Sequence, residues 1–181
     1  MKKITLCMVI LIFVSGIAFS QQYESDQFNT LGLHLNLIGA GAAFNYERSF
    51  NPNFSLLGEI SLDIIPVAFT LAAKARYYPF GRAFYLEMGA GYGMTIGYVG
   101  LIAGYANLIA EMFTFGLADT NWDVWMHGVV LTPGLGWKID LGKPGGFTLP
   151  IGLGINIFLG PREISPVDFT FNTRIGAGFS F

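Results

Sequence analysis

The chain has 181 residues, of which 24 are glycine and 15% are aromatic, while only 12% are charged and the formal net charge is −2. A water-soluble domain carries about twice that share of charge, and without a basic run there is no footprint for nucleic acid as a partner. Nor do the apolar residues gather into the evenly spaced blocks of about 20 residues that a helical membrane protein needs, so composition argues against both classes.

Residues 1–20 start with Lys2 and Lys3, run apolar from Ile4 to Val14, and end on the small residues Ala18 and Ser20. This is the pattern of a cleaved secretory signal peptide, too short to be a membrane span. Residues 21–181 are then one domain. The only cysteine, Cys7, lies inside the apolar run, so the mature chain is expected to have no disulfide and no thiolate chemistry.

From residue 31 onward, hydrophobicity is broken at nearly every second position, which is the period of a strand. In a transmembrane barrel alternate residues face lipid and lumen, and a strand crosses in about 9–11 residues. Leu31, Leu33, Leu35 and Leu37 are apolar at odd positions, whereas Ala40, Ala42, Phe44 and Tyr46 are apolar at even ones. A hairpin with a two-residue loop at Ile38-Gly39 would pair Leu37 with Ala40 and flip the parity in this way; a bulge in one long strand would do so too. The hairpin is preferred because it brings the strand count to eight, an even number, as in bacterial single-chain barrels.

The later strands keep their phase. Residues 54–64 place Phe54, Leu56, Ile60, Leu62 and Ile64 on one face and Ser55, Glu59, Ser61 and Asp63 on the other. From Phe69, the outward residues Leu71, Ala73, Ala75 and Tyr77 alternate with Thr70, Lys74, Arg76 and Tyr78. Residues 84–96 turn Leu86, Met88, Tyr92 and Met94 outward over Tyr85, Glu87 and inward glycines, and 129–141 set Leu135, Trp137 and Ile139 against Lys138 and Asp140. The lipid face of 147–159 is Phe147, Leu149, Ile151, Leu153, Ile155, Ile157 and Leu159; the last strand, 167–181, sends Phe169, Phe171, Ile175, Phe179 and Phe181 outward and Asp168, Asn172 and Arg174 inward.

Asn51-Pro52-Asn53, Gly81-Arg82 and Gly142-Lys143-Pro144-Gly145 are tight-turn sequences and fall at alternate connections, as short periplasmic turns do. Phe50, Phe54, Tyr77, Phe80, Phe84, Phe179 and Phe181 cluster beside them as an interfacial girdle. The long connection 97–125 contains an apolar stretch with the small-residue spacing Gly100-x-x-x-Gly104. It is expected to extend two strands into a hairpin or to fold as an apolar loop over the mouth, rather than to be a membrane helix, with Asp119 to Asp123 as the exposed tip.

A register centred on Gly81-Arg82 sets Arg76 opposite Glu87, and one centred on Pro66-Val67 sets Lys74 opposite Glu59. Glu59, Lys74, Arg76, Glu87, Lys138, Asp140 and Arg174 are therefore expected to form a luminal charge network, since ionised groups withdrawn from water need partners. An eight-stranded barrel is only wide enough for side chains or one small ligand, so these charges are expected to pack the lumen rather than line an open pore. No cofactor or metal is expected: His34 and His127 have no carboxylate or cysteine at ligand spacing. Residues 136–143 miss the phosphate-loop spacing by one residue and have Pro144 in place of Ser or Thr. With no catalytic constellation recognisable, the chain is not expected to be an enzyme.

Two stretches carry a resemblance. Arg174 to Phe181 (Arg-Ile-Gly-Ala-Gly-Phe-Ser-Phe) resembles the terminal signature of outer-membrane barrels, which implies recognition of Phe179 and Phe181 by the barrel-assembly machinery. The stretch Lys74-Ala-Arg-Tyr-Tyr-Pro-Phe, its turn, Phe84-Tyr-Leu-Glu87 and the following Gly-Ala-Gly-Tyr resemble the small outer-membrane β-barrel domain family related to OmpA, OmpX and OmpW. The resemblance implies a multi-pass protein of the cell outer membrane with surface-exposed loops, in contact with outer-membrane lipid and open to an extracellular ligand. It implies a structural or surface-interaction role, or a passive channel for small, including hydrophobic, molecules. A channel of the OmpW kind would be expected to have an apolar lumen, and the charges counted above depart from that. The fold expected is all-β: an eight-stranded antiparallel transmembrane β-barrel following a cleaved signal peptide.

Overall fold

The computed structural model describes residues 29–80, 83–114, 124–141, 146–162 and 165–181. The expected signal peptide, the turns at Gly81-Arg82 and at 142–145, and the loop tip at 119–123 lie outside them.

Among the described residues the chain forms β1 (Asn29–Asn36), β2 (Gly41–Asn51), β3 (Phe54–Ile64), β4 (Val67–Tyr77), β5 (Phe84–Thr95), a helix α1 (Gly97–Thr114), β6 (Met126–Leu131), β7 (Gly134–Leu141), β8 (Phe147–Leu159) and β9 (Val167–Ser180). Sequential strands pair antiparallel, and β9 returns to β1 through the register Thr30↔Ser180 to Asn36↔Arg174. That last pairing closes the sheet on itself and leaves no edge.

β6 and β7 are one strand interrupted at Thr132 and Pro133. Against β5 the register runs Ala90↔Leu131 and resumes at Glu87↔Gly134 without a shift, and the same holds against β8. Pro133 has no N–H to donate, but Thr132 N–H donates to the Gly89 carbonyl and Ile155 N–H to the Pro133 carbonyl. The ladder thus passes across the proline, and the ring has eight staves.

The parity break after Leu37 is a hairpin. Leu35 faces Ala42 and Asn36 faces Gly41, the register expected, although the turn occupies residues 37–40 rather than two residues, with Ala40 at φ 46°. Side chains set its length: Asn36 Oδ1 accepts from Gly39 N–H, and Thr173 Oγ1 accepts from the N–H groups of Leu37 and Ile38.

The segment after β5 departs from the expected hairpin or loop. It is the 18-residue helix α1, because a run that is apolar on every face has no period-two alternation to hold a strand in register. Gly97 begins it at φ +54°, a backbone conformation costly for other residues. No helix among the described residues is long and apolar enough to cross a membrane.

The polarity of the barrel is inside out. Leu33, Ile64 and Met88 on the outer face are 58–62% exposed, while Lys74, Arg76 and Glu59 on the inner face are 1–2% exposed. In water this would place an apolar band around the whole molecule and bury charges within it; in a bilayer both faces are satisfied, and strands of 11–14 residues such as β3, β4, β8 and β9 are long enough to cross. The fold is an eight-stranded antiparallel transmembrane β-barrel.

At the Phe181 end an aromatic belt rings the outside. Phe50 meets Phe54, Phe80 meets Phe84, and Phe179 meets Phe181. Trp137 against Phe84 at 5.2 Å and Phe147 against Phe179 at 5.7 Å complete a belt that sequence reading had only in part.

Candidate functional site: a charge cluster across the lumen

Parity places one ionisable side chain after another on the inner face of neighbouring staves. Arg76 lies directly opposite Glu87, and its Nε donates to Glu87 Oε2 at 2.7 Å. The register of β3 and β4 centres on Ile65 and Pro66, not on Pro66 and Val67, so Lys74 faces Leu57 and Glu59 faces Ala72. Lys74 reaches Glu59 diagonally instead, Nζ to Oε1 at 2.6 Å, within reach of a long side chain across a two-residue stagger.

These pairs join. Lys74 Nζ is 3.3 Å from Glu87 Oε1, and Arg174 Nη1 on β9 lies 2.6 Å from the same oxygen and 3.5 Å from Glu59 Oε2. Six of the seven residues singled out by sequence, Glu59, Lys74, Arg76, Glu87, Lys138 and Arg174, enter one cluster through these contacts and through Glu47. Asp140 lies one inward step beyond Lys138, half-buried near the end of β7.

Glu47 on β2 was not singled out, although it is the link between the two walls. Arg76 Nη1 is 2.9 Å from its Oε2, and Lys138 Nζ is 3.3 Å from that oxygen. Its Oε1 accepts from Ser55 Oγ at 2.6 Å and from Tyr78 Oη. The signal for it was available: once Leu37 pairs with Ala40, odd positions of β2 turn inward, and Glu47 is the only acidic residue there.

In the ring, β2 and β7 are separated by four strand steps in either direction. The Glu47–Lys138 contact therefore joins diametrically opposite walls across the lumen. Three carboxylates, Glu47, Glu59 and Glu87, meet four cations, Lys74, Arg76, Lys138 and Arg174; Asp63, which accepts from Asn36 Nδ2 at 2.8 Å, is a fourth buried carboxylate on the inner face of β3. With Asp63, the buried charges around this cluster number four of each sign, the balance that burial away from water favours.

Further side chains pack on either side of the cluster. Towards the Phe181 end Tyr85 lies under the Arg76 guanidinium, 4.4 Å from Cζ to ring centroid, and edge-on to Tyr78. Its room comes from inward glycines: a Cβ at Gly152 would stand 2.8 Å from Tyr85 Oη. At the helix end an apolar plug of Phe158, Val130, Met126 and Ala68 is fully buried, and a Cβ at Gly93 would meet the Phe158 ring at 2.6 Å. The apolar layer was not expected, since Met126 and Val130 fell beside the long connection.

His34 is buried and shares a 2.7 Å hydrogen bond between its Nε2 and Asn45 Nδ2. His127 is exposed on the outside near Tyr92. The two histidines are thus on opposite faces of the wall. Among the described residues no group of three ligating side chains is disposed to hold a metal ion.

A second buried pair sits at the helix end. Arg162 Nη1 lies 2.7 Å from Asp168 Oδ2 and donates to the carbonyls of Ile96 and Val124. Asp168 in turn accepts from the N–H groups of Val99 and Gly100, so a side chain from β9 caps α1 where the orphan donors and the positive end of the helix dipole favour a carboxylate.

No protein-family model matches the chain, and no curated protein matches it in sequence. Among solved structures it is similar to the N-terminal β-barrel domain of Pseudomonas aeruginosa OprF, with 11% identity and a TM-score of 0.49 over 87% of this chain and all of that one. The Yersinia pestis outer membrane protein Ail aligns at 13% identity and a TM-score of 0.44, over 87% of this chain and 100% of that one. A de novo designed transmembrane β-barrel aligns at 9% identity and a TM-score of 0.42, over 90% and 99%.

Proposed function

We propose that this protein is an integral barrel of the cell outer membrane whose lumen is closed, and that it acts as a non-enzymatic structural or surface-interaction protein through its rims and loops. The observation that carries the reading is the ion pairing of Lys138 with Glu47 across the full width of the barrel. A solute would have to break that contact, and then displace the plug of Phe158, Val130 and Met126. Each carboxylate of the cluster is held by cations, which leaves none set aside as a general base.

The direct test is solute flux. Vesicles of phosphatidylcholine carrying the purified protein and loaded with a small dye are expected to leak no faster than empty ones; rapid, dose-dependent efflux overturns the closed-lumen reading.

The orientation proposed puts the Phe181 end, with its aromatic belt and the Asn51-Pro52-Asn53 turn, on the periplasmic side, and α1 and the hairpin at 37–40 outside. In intact cells an impermeant maleimide is expected to label Ile38→Cys and to leave Asn53→Cys untouched. The reverse pattern inverts the topology.

Phe179 and Phe181 are proposed as the assembly signal read by the barrel-assembly machinery, because both project outward with their rings parallel, 6.5 Å apart, at the end of β9. Deleting Phe181 is expected to lower the amount of heat-modifiable, folded protein in the outer membrane; normal surface delivery of the variant contradicts this role.

A further inference from the structure

Like the barrel, α1 leaves its large apolar side chains exposed. At about 100° per residue, Ile102, Tyr105, Leu108, Ile109, Met112 and Phe113 fall on one arc, and all six are more than half exposed. The opposite arc holds Gly97, Gly100, Ala103, Gly104 and Asn107 together with Glu111, the helix's only charge. The small residues face the protein: a Cβ at Gly100 would stand 2.6 Å from the Val124 carbonyl and 2.9 Å from Arg162 Nη1. The small-residue spacing is thus spent on this chain's own loop and not on a partner helix.

A helix resting on a soluble protein turns its apolar side in and its polar side out. Here small residues face the protein, Glu111 is exposed, and the large apolar side chains form an exposed arc that is continuous with a lipid-facing surface. Tyr98, on the same arc, packs 5.5 Å from the Phe169 ring and 5.8 Å from Phe171, both outward residues of β9. The first turn is fixed by Asp168 at the rim, with Tyr98 set against the outside of the wall. The helix is not long and apolar enough to cross.

We propose that α1 is an interfacial helix whose outer arc is covered by the acyl chains of the outer leaflet, making it a lipid-contact element appended to the barrel. Burying six large apolar side chains is favourable in that setting and would leave an adhesive patch in water. The occupant is lipid because the arc continues the barrel's lipid-facing surface through Tyr98, Phe169 and Phe171. The proposal rests on the membrane-spanning reading of the barrel.

The test uses the full chain in a Cys7→Ser background, reconstituted into phosphatidylcholine–phosphatidylglycerol vesicles, with one nitroxide at a time on Ile102→Cys, Leu108→Cys, Ile109→Cys or Met112→Cys. Collisions with oxygen, which concentrates in lipid, are compared with collisions with a water-soluble nickel chelate. Leu71→Cys on the outer face of β4 is the lipid reference and Asn53→Cys the aqueous one. All four helix positions are expected to show raised oxygen access, approaching that of Leu71→Cys, and nickel broadening well below that of Asn53→Cys. Nickel access like that of Asn53→Cys makes α1 a solvent-exposed lid and overturns the proposal. Protection from both reagents, with spin–spin broadening that disappears on dilution with unlabelled protein, makes the occupant a second copy and also overturns it. Nickel access at Leu71→Cys would instead defeat the membrane-spanning reading itself. Four independent labels keep the pattern readable where one variant fails to fold.

Discussion

Glu87 touches three cations, with Arg76, Lys74 and Arg174 all within 3.3 Å of its carboxylate. Removing it leaves like charges facing one another in a space without bulk water, and breaking a buried pair in this way costs about 3–5 kcal/mol. Glu87→Ala is therefore expected to lower the midpoint of urea unfolding in lipid vesicles well below that of the parent; an unchanged midpoint contradicts a cluster that holds the staves together. A subtler dependence concerns Tyr85 and Gly152. Gly152→Ala is expected to cost about 1–3 kcal/mol by overpacking, and less in a Tyr85→Phe background, where the hydroxyl 2.8 Å from the new methyl is gone. Equal costs in both backgrounds would mean that Tyr85 does not occupy the glycine's space. The charged residues of this cluster were legible because strand parity alone decides which face each side chain takes. Glu47 was the exception: parity turns it inward in either a hairpin or a bulged strand, but its neighbours across both ladders, Thr30 and Leu57, are uncharged, so no cross-strand pair marked it.

At the scale of elements, α1 hangs on one carboxylate. Asp168→Asn removes the charge that Arg162 and the first helical N–H groups share, and caps of this kind contribute about 1 kcal/mol. Amide exchange at Val99 and Gly100 is expected to quicken in that variant while amides of β3 and β4 keep their protection. Uniform loss of protection would mean that the rim pair supports the barrel and not the helix. Gly97→Ala is expected to have the same local effect, from the strain of φ +54° and from a methyl set against the Asp168 carboxylate. The strands were legible because a half-buried strand in lipid has a strict period of two, and the hairpin's register followed from Leu37 and Ala40 alone. The helix was not, since a segment apolar on all sides has no period to read, and its start is fixed by Asp168, nearly 70 residues away. The Glu59–Lys74 register was off by one turn residue for a similar reason: two turn centres, Ile65-Pro66 and Pro66-Val67, leave the same residues inside, and parity does not choose between them.

For the whole molecule, an apolar outer band and an interior that carries the charges are consequences of one rule applied to every strand. The proposed closed lumen has two barriers, the charge cluster and Phe158 with Met126 and Val130. Removing one barrier, as in Glu47→Ala with Lys138→Ala, is expected to leave the barrel closed, because the apolar plug remains. The most direct measurement is single-channel recording of the purified full chain in a planar lipid bilayer. The expected result is insertion without steady conductance, in the parent and in the Glu47→Ala, Lys138→Ala variant alike. Stable, large channels from the parent protein would contradict a closed lumen.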